Sequence, residues 1–211
     1  MQITQQIGVV MKIQNLAQIK ANNGKVFDFK DVIESVDGHI VKEFTNKALL
    51  KKLKLAAKNT MNVNNSLPRP YKGGINEFGN FVQVLFAQEC QKLGLKYSTP
   101  VDTKGRAKES GYPDGCISFK KDYFCYIEVK TYSEKNKNSS LRSFFYSPSN
   151  TSKITRDAAH LLVGFSTKSA SADGPHTLLD FHFTDMFSKK VKLKLEFNQN
   201  NKEIYKKSEL L

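Results

Sequence analysis

Two acids and a lysine fall within one short stretch, YPDGCISFKKDYFCYIEVKT, at Asp114, Glu128 and Lys130 (residues 112–131). The stretch alternates as two strands around a turn and reads as a hairpin. If residues 120–122 form the loop, Phe119 pairs with Tyr123 and Asp114 falls opposite Glu128. Opposed residues hold their β-carbons about 5 Å apart on one face. Lys130, one strand period beyond Glu128, shares that face. A two-residue turn would instead set Asp114 opposite Val129 and scatter the charges. In the first register two carboxylates and an ammonium converge at the strand ends. Neighbouring carboxylates repel unless a cation lies between them. A hard divalent ion with oxygen ligands, Mg²⁺ first, relieves that conflict. Such an ion activates water and neutralises charge on a phosphodiester, while the lysine orients the nucleophile or stabilises developing charge.

The elements around the hairpin must hold that spot together. Upstream, INEFGNFVQVLFAQECQKLGL places Phe78, Phe81, Val82, Leu85 and Phe86 on one helical face, with Gly94 at the favoured left-handed cap. A short strand at 95–98 and a polar loop, STPVDTKGRAKESG, lead into the hairpin. Downstream, SPSNTSKITRDAAHLLVGF (147–165) offers polar capping residues and then a helical pattern. Ile154, Ala158, Leu161 and Leu162 lie on one side of it, and Lys153, Arg156 and His160 on the other. LLVGF can also open the next strand, and TLLDFHFTDMF and KKVKLKLEF alternate as two more. The expected class is mixed α/β (α+β): a central mixed sheet flanked by helices. Residues 1–70, mainly helical and basic, are expected as an arm or a layer on a core formed by 71–211. NVNNSLPRPYKGG (62–74) is the linker-like stretch between them.

The chain has 211 residues with 33 Lys and Arg against 20 Asp and Glu, a formal charge of +13. That length supports a core of ordinary size. The excess of positive charge attracts a polyanion, nucleic acid before an anionic membrane. Three cysteines, Cys90, Cys116 and Cys125, show no metal-ligand spacing and suit a reducing compartment. Neither a signal peptide nor an 18-residue apolar run is present in the sequence, so a cytoplasmic protein with no membrane partner is expected. There is no G-x-x-x-x-G-K-[ST] phosphate loop and no H-E-x-x-H metal motif.

Pro113-Asp114, thirteen intervening residues and then Glu128-Val129-Lys130 resembles the PD-(D/E)XK nucleases, most of all type II restriction endonucleases. The likeness covers roughly residues 75–165. It implies a restriction-endonuclease-like core and Mg²⁺-dependent, site-specific hydrolysis of double-stranded DNA. It also implies Asp114 and Glu128 as metal ligands, the Val129 main-chain carbonyl completing the coordination, and Lys130 as the catalytic lysine. Glu77 matches the acid that many members present from the first core helix. Partners implied are duplex DNA, a second copy on a palindromic site, and a cognate DNA methyltransferase. A repair or junction-resolving nuclease of the same fold, or a DNA-binding module without catalysis, are the other functions open to the chain.

A nuclease also needs a surface that holds the duplex. Lys153 and Arg156 are expected to contact phosphate from the first turns of a helix. Lys104, Arg106 and Lys108 precede Asp114 in one basic loop. Arg142, Tyr146 and Asn150, in LRSFFYSPSN, are of types that read base edges.

Overall fold

The computed structural model describes residues 20–108, 110–136, 138, 144–169, 171, 174–194 and 196. In chain order its elements are β1 (Val26–Asp28), α1 (Phe29–Asp37), β2 (Val41–Lys42), α2 (Lys47–Asn65), α3 (Ile75–Lys92), β3 (Lys96–Ser98), β4 (Gly115–Phe119), β5 (Tyr123–Ser133), β6 (Ala158–Ser169), β7 (His176–Asp185) and β8 (Lys190–Lys192). One compact unit is Asp28–Lys189, and the stretches before and after it form a second. The short strands β1 and β8 pair with each other in a separate two-stranded sheet.

A six-stranded mixed sheet forms the centre of Asp28–Lys189, in the order β2-β6-β5-β4-β3, with β7 also on β6. Strands β3, β4 and β5 are antiparallel neighbours, β5 and β6 run parallel, and β7 returns antiparallel. β6 is therefore flanked on both edges. Cys125, Ile127 and Val129 of β5 share one face with Ala159, Leu161, Val163 and Phe165 of β6. That face is covered by Leu49, Leu53, Ala56 and Ala57 of α2 and by Phe78, Val82 and Phe86 of α3. Each fully buried side chain of this size contributes about 1.5–3 kcal/mol relative to exposure. The α3 periodicity read from the sequence thus sets the layer. α3 ends as expected at Gly94, where φ is 72°. The Leu95 N–H reaches the Cys90 carbonyl and the Gly94 N–H that of Gln91, satisfying otherwise orphaned acceptors.

The opposite face carries Tyr126, Glu128 and Lys130 of β5 beside His160 of β6. α1 covers part of it through Phe29, whose ring meets those of Tyr112 and His160 at 5.9 and 5.6 Å. The two faces differ in kind: one is an apolar layer beneath two helices, and the other holds the charged groups.

The helix expected over 147–165 does not form. Residues 152–157 are irregular and β6 begins at Ala158. Apolar residues crowd both faces of this strand because helices and loops cover both. It therefore lacks the alternation of a half-exposed strand and reads like a buried helix. The linker also begins later than expected, since α2 continues to Asn65. There the Asn65 side chain bonds both the carbonyl and the N–H of Leu178, at 2.8 and 3.0 Å, tying α2 to β7.

Candidate active site

The register that brings the charges together is the one the three-residue loop demands. Phe119 pairs with Tyr123 and Gly115 with Ile127, so the next step of the ladder sets Asp114 opposite Glu128. Lys120 occupies the left-handed region at φ 57° and turns the loop. Asp114 is fixed by the Val129 N–H, which donates to Oδ2 at 2.8 Å. Lys130 Nζ reaches Glu128 Oε1 at 2.6 Å, and the Glu128 side chain is only 4% exposed. The other oxygen, Glu128 Oε2, is buried without a hydrogen-bond partner among the described residues.

Burial raises the Glu128 carboxyl well above the ordinary range, and the neighbouring Asp114 charge raises it further, against the pull of Lys130. Asp114 is likewise raised, first by burial, with Lys130 and the Val129 N–H opposing. Two buried carboxyls in contact hold a proton between them or need a cation. The orphaned Glu128 oxygen and the Asp114 carboxylate are hard oxygen donors of the kind a divalent ion takes, with the Lys130 ammonium beside them. Among the described residues no group of three or more His, Cys, Asp or Glu stands together to hold a metal, so two carboxylates are what the chain brings to this corner.

Tyr112, unassigned by sequence reasoning, positions this corner. Its hydroxyl lies 2.6 Å from Nδ1 of the buried His160, two residues ahead of Asp114. Its position before Pro113-Asp114 was the only sequence signal. Tyr97 stands on the other side: a β-carbon on Gly115 would overlap the Tyr97 hydroxyl, so glycine is required beside Asp114.

Glu77 is carried by α3. It occupies the first turn of α3 with its carboxylate turned back beside Gly74, where a β-carbon would sit 2.6 Å from Oε2. α3 packs on the face of β5 opposite to Glu128 and Lys130.

The expected DNA contacts are dispersed. Lys153 is buried at 3% exposure, off any helix, with its ammonium donating to the Gly111 carbonyl. Arg156 is exposed and lies over the Phe124 ring at 4.3 Å. Arg106 is held by Asp102, whose Oδ2 accepts from Nη2 at 2.8 Å. The Arg106 backbone N–H, which donates to Oδ1, and then the Arg106 side chain bring the Asp102 carboxyl down to about 2. Lys104 and Asn150 are exposed, and Lys108 is half-buried. Tyr146 donates to Asp37 Oδ2 at 2.6 Å, so its hydroxyl is engaged within the fold. Arg142 lies outside the described residues. A cleft of about 200 Å³ is lined by Ser98, Cys116, Ser118, Tyr126, Lys153 and Arg156, among others, and by neither Asp114 nor Glu128.

Type II restriction enzyme MjaV of Methanocaldococcus jannaschii is 38% identical over 143 residues, 63% of this chain. The matched part amounts to 60% of that relative's length. The family model of the type II restriction enzyme MjaV family matches residues 20–208, most of the chain. The chain belongs to the MjaV family of type II restriction enzymes.

Proposed function

We propose that the chain is a Mg²⁺-dependent endonuclease that hydrolyses phosphodiester bonds in double-stranded DNA at specific sites. The observation that carries this reading is the buried pair Asp114–Glu128, with Oε2 of Glu128 unpartnered and Lys130 at the opening. Asp114 and Glu128 would hold the ion, with the Val129 carbonyl, and the ion would polarise the phosphate and lower the pKa of a bound water. Lys130 donates to Glu128 in the resting arrangement and, being only partly covered, can turn to the attacking oxygen or the phosphate. The Val129 N–H keeps Asp114 aimed at the same point. Burial strengthens every one of these interactions relative to water. The basic surface would hold the duplex, with Lys104 and Arg156 among its exposed cations. A second copy on a palindromic site, a protecting DNA methyltransferase and a cytoplasmic location complete the proposal. They follow from the restriction type, in which host DNA must be protected.

The test is cleavage of an unmethylated plasmid in Mg²⁺. Discrete bands are expected from the wild type, and none from Asp114→Ala or Glu128→Ala with duplex binding retained. Junction-dependent nicking would point to the repair class instead. Near wild-type cleavage by either alanine variant would remove the pair from the reaction.

A further inference from the structure

Lys153 is a buried lysine with a second life in the fold. It is 3% exposed, and burying an ammonium is costly unless it is bonded and compensated. Its Nζ donates to the carbonyl of Gly111, three residues before Asp114. Its charge is felt by Asp114 and by Glu128, and theirs by it. It also lines both clefts on this side of the sheet, the one over Cys116 and Tyr126 and the one against Tyr112 and Tyr146. From this position the side chain is the wall between them. The main chain around it is held too, since the Thr155 N–H bonds the Tyr126 hydroxyl at 2.9 Å. One cation thus ties the segment before β6 to the segment that delivers Asp114.

We infer that Lys153 is a positioning residue: it anchors the Gly111–Asp114 segment and does not touch DNA. This rests on the reading of Asp114 and Glu128 as the reacting centre. The bond to Gly111 then fixes the segment from which Asp114 enters the pair before substrate arrives. Losing the anchor lets Asp114 drift, and small misplacements of a reacting group are expensive in rate.

The experiment compares wild type with Lys153→Met, which keeps length and removes the charge and the donor. Amide hydrogen exchange across 110–115 is read first, because it needs no activity: faster exchange is expected there and not in α2 or α3. Cleavage should then show kcat down roughly 10- to 100-fold, with KM for the duplex unchanged. The salt dependence of binding should match wild type. If Lys153→Met does not fold, Lys153→Gln carries the same comparison. Unchanged exchange at 110–115 overturns the inference, as does a raised KM with a flatter salt dependence, which would make Lys153 a phosphate contact. Failure of both variants to fold overturns it too, marking a fold element only. Absence of cleavage by the wild type would instead count against the nuclease reading, leaving the exchange result to decide the anchor.

Discussion

Lys130 and Glu128 form a pair in which the partners are unequally covered: 32% of the lysine side chain is open against 4% of the glutamate. The open partner is the one that can reach a substrate. Its removal should therefore cost chemistry more than stability, since the buried Glu128 carboxyl, already raised by burial and Asp114, can take up a proton when its partner is gone. Lys130→Ala is expected to lower single-turnover cleavage by roughly 10²–10³, the loss of a well-placed charge stabiliser. The melting temperature and duplex affinity should change little. An unfolded variant, or one that cleaves like wild type, would assign the lysine to structure or to nothing. Asp114, Glu128 and Lys130 were legible because strand period and loop length are written in residue order. Lys153 was legible only as a basic residue. That its ammonium is buried against Gly111 depends on a chain segment 42 residues away, which no local spacing encodes.

The hairpin β4–β5 and helix α3 follow their sequence patterns because each has one covered and one distinct face. β6 does not, and its misreading displaced Lys153, Arg156 and His160 from their true surroundings. His160 sits mid-sheet on this strand, 0% exposed, among the rings of Phe29, Tyr112 and Tyr126, with Nε2 unpartnered among the described residues. Burial brings its imidazole down to about 3 from the ordinary 6.5. The sign of the consequence follows. Above the unfolded value neither state binds a proton and stability is flat. Below it the unfolded chain takes a proton that the folded chain refuses, so stability falls as pH falls. Between pH 6.5 and 5 the loss is about 2 kcal/mol. Denaturant titrations at several pH values should show this acid slope, and His160→Gln should flatten it by that amount. An identical slope in the variant would mean that the imidazole protonates in the fold.

At the scale of the whole molecule the question is how a charge of +13 is spent. Some of it is committed internally: Arg106 to Asp102, Lys92 to Glu89 at 2.6 Å, Lys130 to Glu128, and Lys153 to Gly111. Cations so engaged release few counterions on binding DNA. Exposed cations such as Lys104 and Arg156 are the ones available to phosphate. Affinity for a duplex should fall linearly with salt on a log–log plot, each neutralised phosphate adding a slope of about −0.9. Measured on the cleavage-dead Glu128→Ala background, Lys104→Ala and Arg156→Ala should each flatten the slope by about that unit. They should weaken cognate and random duplexes alike, because phosphate contacts carry no sequence. Asn150→Ala should leave the slope alone and narrow the gap between cognate and random sites, by about 1–3 kcal/mol for a lost base contact. Should Lys104→Ala and Arg156→Ala leave the slope untouched, the duplex lies along another face, and the basic residues of α2 become the surface to test: Lys47, Lys51, Lys52, Lys54 and Lys58.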